Sequence, residues 1–295
     1  MASLSRFLPL LAVATATLAC ETSSVTGGLS GGGGAGGGAP SSSQRTELML
    51  AMEDEVESTV SALTLFAPGV PPSFVAATCP TAGSSTDTDT DGIPESQTLT
   101  FADPPCHMTG FRGGDFSVAG TLLVEDTALT ADTTSYRLTY TDLAWTGTDP
   151  AATRTFTATR NGVRGRTATE VTVNLKDSLK IVRVRPSRAN TNIDLSTTVS
   201  FVADVDDTVR VGQSPPSGSL TIDGTMQWQR SSENWTITIA TPTPLVYDST
   251  CTTTPQRISD GEVTLSGTIS GDTGVLTLTW SSCGVDPTAA WASNP

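Results

Sequence analysis

Within Ser85–Glu95, the residues Asp87, Asp89 and Asp91 stand on alternate positions and lead into Gly92, Ile93 and Glu95. Calcium takes six to eight oxygens, and alternate aspartates before a glycine turn bring their carboxylates round one point. In a twelve-residue calcium loop these aspartates fill positions 1, 3 and 5, Gly92 takes the turn at 6, the Ile93 carbonyl falls at 7 and Glu95 at 9. Position 12 calls for a bidentate glutamate and is Thr98 here, so only the first half of such a loop is present. The ion would be structural, stiffening the entry to the fold, with an affinity of about 10⁻⁴–10⁻³ M. The same residues also read as a solvated acidic connector.

Other chemistry is sparse. His107 is the only histidine, which removes histidine-based triads and multi-histidine zinc sites. No G-x-S-x-G elbow and no phosphate-cradling glycine motif precedes a helix pattern. Paired carboxylates could serve a carbohydrate-active enzyme, but any acidic β protein contains such pairs, so the chain reads as non-catalytic. Nine of the 16 Lys and Arg lie between Arg154 and Arg188, where only Glu170 and Asp177 oppose them. That basic hairpin could dock an anionic surface through Arg154, Arg160, Arg164 and Arg166. The preferred reading is that these side chains form the wet face of a sheet and pair with Asp204, Asp206 and Asp207.

The positions of the cysteines point to export. Arg6 and the apolar run from Phe7 to Ala19 read as a signal peptide over residues 1–19, too short to span a bilayer. Thr17-Leu18-Ala19-Cys20 resembles the lipobox of bacterial lipoproteins, with Thr17 in place of the usual Leu or Val. Ala14-Thr15-Ala16 fits an ordinary secretory site, so plain secretion is the alternative. Five cysteines are an odd number, and a lipidated Cys20 leaves Cys79, Cys106, Cys251 and Cys283 to pair. Pairing Cys79 with Cys106 and Cys251 with Cys283 closes two loops of similar size, and other pairings remain compatible with the sequence. Residues 20–43 carry Gly31–Gly38 and Ser41–Ser43 and read as a flexible tether with a reach of roughly 25–30 Å. The formal charge of −14 disfavours nucleic acid as a partner.

The elements that must position these groups are one helix and many strands. In residues 44–66, Leu48, Met52, Val56, Val60 and Leu63 recur at helical steps, with Glu53, Asp54, Glu55 and Glu57 on the remaining surface. Residues 67–295 read as one antiparallel β domain that includes the acidic loop region 79–106. Tyr136, Leu138 and Tyr140 alternate with polar residues, as do Val171, Val173 and Leu175, then Val199, Phe201 and Ala203, then Trp235, Ile237 and Ile239. Asn161-Gly162 is a hairpin-turn signal. The pattern Gly, any, apolar, Ser or Thr, apolar, any, Gly, Thr occurs from Gly114, Gly218 and Gly261, which marks three related hairpins. The second glycines, Gly120, Gly224 and Gly267, fall on the apolar face and suggest bends. The fold class expected is all-β: a strongly curled antiparallel sheet, barrel-like or sandwich-like, with one amphipathic helix packed on it.

The aspartate loop resembles an EF-hand over its first half, and more closely the short aspartate repeats of thrombospondin type 3 modules. Cys79-Pro80, the Asp87–Glu95 loop, Cys106, the repeated hairpins, Thr241–Tyr247 and Cys251 with Cys283 together resemble a group of exported bacterial lipoproteins over about residues 75–285. The resemblance implies fold and location and carries no activity. The expectation is a membrane-anchored protein of the bacterial cell envelope, periplasmic or on the outer surface. It would bind or scaffold an envelope glycan, lipid or protein. A carrier holding a hydrophobic ligand in the sheet, under the helix as a lid, is the second reading.

Overall fold

A computed structural model describes residues 38–63, 80–90, 93–109, 115–128, 135–149, 154–169, 171–184, 189–204, 207–210, 215–251 and 258–294. The helix α1 (Ser42–Leu63) comes first. Twelve strands follow: β1 (Thr81–Ala82), β2 (Gln97–Thr109), β3 (Asp115–Asp126), β4 (Tyr136–Asp149), β5 (Arg154–Ala168) and β6 (Thr172–Val184). The second half holds β7 (Thr191–Ala203), β8 (Gly218–Arg230), β9 (Glu233–Tyr247), β10 (Ile258–Ile269), β11 (Asp272–Trp280) and β12 (Thr288–Ser293). They form one antiparallel meander in which each strand pairs with its neighbours in chain order.

Alternation sets one face of this sheet. In β6 and β7 every second side chain is buried, giving an inner row of Val173, Leu175, Leu179 and Ile181 beside Ile193, Leu195, Val199 and Phe201. The rows expected in β4 and β9 are buried in the same way. Val171 departs from the pattern; it precedes β6 and is exposed. The three repeat copies are β3, β8 and β10, each paired with the strand that follows it. Trp228 and Trp235 stack face to face across the β8–β9 hairpin, with centroids 5.9 Å apart.

The expectation of a strongly curled, barrel-like or sandwich-like sheet is corrected. Among the described residues the strand order ends at β1 and β12 with no ladder joining them, and the sheet is a single one, neither closed nor strongly curled. The helix α1 lies against part of the apolar face, bonded to residues of β4, β5, β6, β8 and β9, so that part is buried by a helix rather than by a second layer of sheet. The mid-strand glycines do sit on the inner face: Gly120 opposite Phe101, Gly224 opposite Thr197, Gly267 opposite Ile237. Gly120 accommodates a local slip rather than a closure, since the β3–β4 register shifts between Ala119 and Thr121.

Asn161-Gly162 is not a hairpin turn. It lies in the middle of β5, where β4 bulges at Asp142, a residue with φ +46°. The Asn161 carboxamide replaces the missing ladder bonds: its oxygen accepts from the Asp142 amide at 2.8 Å and its nitrogen donates to the Asp142 carboxylate at 3.0 Å. Gly162 has φ +126°, so the dipeptide supplies the left-handed backbone a bulge needs as well as it would a turn.

Candidate functional site

The start of α1 is built from residues expected to lie in the tether. Ser41 and Gln44 form a reciprocal cap: the Gln44 amide donates to Ser41 Oγ at 3.2 Å, and the Ser41 amide donates to Gln44 Oε1 at 2.8 Å. From Gln44 onward no described helix residue is exposed. Leu48, Met52, Val56, Val60 and Leu63 are buried as the spacing requires, but so are Glu47, Glu53 and Glu55. The acidic side of the helix is therefore not a solvent face.

What compensates these carboxylates is the basic hairpin. Arg160, Arg164 and Arg166 share the inner parity of β5, and the register sets Arg164 beside Asp177 of β6. Arg164 is 1% exposed and grips Asp177 with two bonds, Nε to Oδ1 at 2.7 Å and Nη2 to Oδ2 at 2.6 Å. Its Nη2 also donates to Glu55 Oε1 at 2.7 Å, and its Nη1 to the Ser58 carbonyl at 3.0 Å. Arg160 bonds Ser58 Oγ, lies 3.5 Å from Glu55 Oε2, and rests its guanidinium over the Trp145 ring. Arg183 pairs with Asp54. Toward the start of the helix, Arg230 reaches Glu47 at 3.2 Å, and Gln44 donates to Glu233 and to Ser270. At its end, Tyr136 Oη donates to the Ala62 carbonyl and Arg166 Nε to the Leu63 carbonyl, both at 3.1 Å. Donors there satisfy two of the unpaired carbonyls of the last turn and oppose its negative dipole end.

Burial pushes the Glu55 carboxyl above its ordinary range; Arg160 and Arg164 pull it down without overcoming the loss of water. Burial also raises the Tyr136 and Tyr140 phenols, so both stay protonated. For Arg164 burial opposes the charge, but Asp177, Tyr140 and Glu55 outweigh it and the guanidinium stays protonated.

These contacts correct the placement of the basic residues. Arg160, Arg164 and Arg166 are buried beneath α1 and neither form a wet face nor present themselves to an anionic surface. Among the described residues their partners are Asp177 and the helix rather than Asp204 or Asp207, and Asp206 lies outside the described residues. Lys176 and Lys180 do point outward and are exposed. Arg154 opens β5 opposite Asp149. The alternation that buries Leu175 and Leu179 carries Asp177 between them onto the apolar face, and this was the signal available in the sequence.

In the acidic loop, Asp87 is exposed and Asp89 half-buried, while Asp91 and Gly92 lie outside the described residues. Ile93 is a core side chain, 2% exposed. Glu95 closes the loop: its carboxylate accepts hydrogen bonds from Thr88 and Thr86, which hold it below the usual carboxylate range. Among the described residues no group of three or more His, Cys, Asp or Glu could hold a metal ion. Cys251 and Cys283 form a disulfide with Cα atoms 6.0 Å apart. Cys106 is buried and disulfide-bonded; Cys20 and Cys79 lie outside the described residues. Among the described residues no helix is long and apolar enough to cross a membrane. No known protein family, curated protein or solved structure matches the chain.

Proposed function

We propose that this is a lipoprotein of the bacterial cell envelope, acylated at Cys20, whose β domain binds or scaffolds a partner and does not catalyse. The observation that carries the non-catalytic part is the Glu55–Arg164–Asp177 cluster. Among the described residues the most concentrated set of buried charges is taken up in holding α1 to the sheet, with Arg164 and Asp177 joined through two bonds. Reaction chemistry needs groups whose bonding capacity is turned toward a substrate. The partner would be a glycan, lipid or protein of the envelope, since the acidic chain repels nucleic acid.

The anchor is tested by expression in a Gram-negative host with radiolabelled palmitate. The wild-type chain takes up label and enters the detergent phase on Triton X-114 partition, whereas Cys20→Ser does neither. Label retained by Cys20→Ser, or none on the wild type, would overturn the anchor.

The Asp87–Glu95 loop is proposed as a weak structural calcium site, with Asp87, Asp89, Asp91 and Glu95 giving carboxylates and Ile93 its carbonyl. It follows that millimolar calcium raises the thermal midpoint relative to EGTA, and that Asp89→Asn removes the difference. An identical midpoint in both buffers ends this part of the reading.

A further inference from the structure

The underside of α1 has the chemistry of an anionic amphiphile. It lays Leu48, Met52, Val56 and Leu63 on the apolar face of the sheet and sets Asp54 and Glu55 on arginines of β5 and β6. Three features set this contact apart from an ordinary core. Ion pairs removed from water add little stability over apolar side chains of the same size, so the arginines are not explained by the strength of the fold. The arginines are also incompletely used: among the described residues, no acceptor lies within hydrogen-bond reach of Arg160 Nε or Arg183 Nε, although both residues are more than nine-tenths buried. The sheet's own fastenings do not involve the helix, since its ladders run from β1 to β12 and the Cys251–Cys283 bond lies within the β domain.

We infer that the inner face of the sheet is a binding site for an amphiphile with an acyl chain and a carboxylate or phosphate headgroup, and that α1 occupies it as a built-in competitor. The inference rests on the binding reading above and names its site and ligand class. The headgroup takes the places of Asp54 and Glu55 on Arg160, Arg164 and Arg183, and the chain takes the place of the leucine, methionine and valine stripe. Apparent affinity then depends on the fraction of molecules in which α1 is displaced.

The Asp54–Arg183 pair gives a test in which the two halves of one contact must act differently. Removing the helix carboxylate frees the site, whereas removing the arginine deletes a headgroup contact. Binding of cis-parinaric acid to the full mature chain is followed by fluorescence, with near-ultraviolet circular dichroism confirming that each variant is folded. Asp54→Asn should bind about tenfold more tightly than wild type, and the double variant Asp54→Asn/Arg183→Met, released from the same pair but lacking the headgroup contact, about tenfold less tightly than Asp54→Asn. Glu55→Gln and Arg160→Met repeat the comparison at the Glu55–Arg160 contact should either variant fail to fold. The methyl ester of the probe, lacking the charge, should show no such pattern. A fluorescent phosphatidylglycerol with the same chain separates the two sources: preference for it assigns a phospholipid, preference for the free acid a fatty acid. No binding by any folded variant, equal binding of the ester, or a double variant that binds as tightly as Asp54→Asn would overturn the inference. Acylation of Cys20 is measured separately, so failure of the anchor and failure of this site are distinguishable.

Discussion

Arg164→Leu should lower the unfolding free energy by about 3–5 kcal/mol, read as a fall in the urea midpoint at unchanged slope. The leucine fits the apolar surroundings, so the loss does not come from the side chain introduced. It comes from Asp177 and Glu55, which remain buried after their shared cation is gone. Asp177 would keep the Thr197 hydroxyl at 3.4 Å, and Glu55 would keep Arg160 at 3.5 Å, both longer than the bonds lost. Two controls separate this cause from packing. Arg137→Ala breaks a surface pair with Glu125, whose members are 50% and 24% exposed, and should cost less than about 1 kcal/mol. The triple replacement Glu55→Leu, Arg164→Leu and Asp177→Leu removes all three charges together and should recover most of the loss. A single Arg164→Leu variant as stable as wild type would mean that the cluster does not hold the helix.

The second large effect is expected at Gly120. Its φ is +114°, and a Cβ added there would lie 2.3 Å from the Asp142 carbonyl oxygen and 2.7 Å from Leu143 Cα. All of the atoms met are backbone, so no rotamer change relieves the contact. Gly120→Ala should therefore cost about 3 kcal/mol or more, combining unfavourable backbone with displacement of β4. Gly165→Ala is the matched control in β5, since its Cβ would meet nothing closer than the Lys176 carbonyl oxygen at 4.0 Å and its φ is not left-handed. There the change should be within about 0.5 kcal/mol of zero. Equal effects at the two positions would show that the β3–β4 slip does not depend on glycine.

The β domain was legible because a strand writes its burial into every second residue. Tyr136, Leu138 and Tyr140 could be assigned to one face from their parity alone, and Gly120, Gly224 and Gly267 could be placed on that face with the apolar residues around them. The helix was legible for a similar reason, through the spacing of Leu48 to Leu63, although its cap residue Ser41 and its first residues Ser42 and Ser43 were assigned to the tether. The Asn161-Gly162 signal was misassigned because the same two residue types also suit a position opposite a bulge, where Asn161 bonds the bulged Asp142 and Gly162 takes positive φ, and only the pairing of β5 with β4 distinguishes the two.

The sequence by itself determined an all-β domain with one apolar face and a preceding helix, whereas the structure selected Cys251–Cys283 from the pairings the sequence left open. Tertiary structure alone decided what covers that face and, with it, the fate of the charges. A lone arginine or aspartate on an apolar face is too costly to bury, so local pattern argues for solvent. Arg164 becomes a core residue only because Glu55, 109 positions earlier, is brought against it by the helix. Whether the sheet closed was decided in the same way. Alternation specifies that a face must be covered, but whether a helix or another part of the sheet covers it depends on contacts between distant parts of the chain.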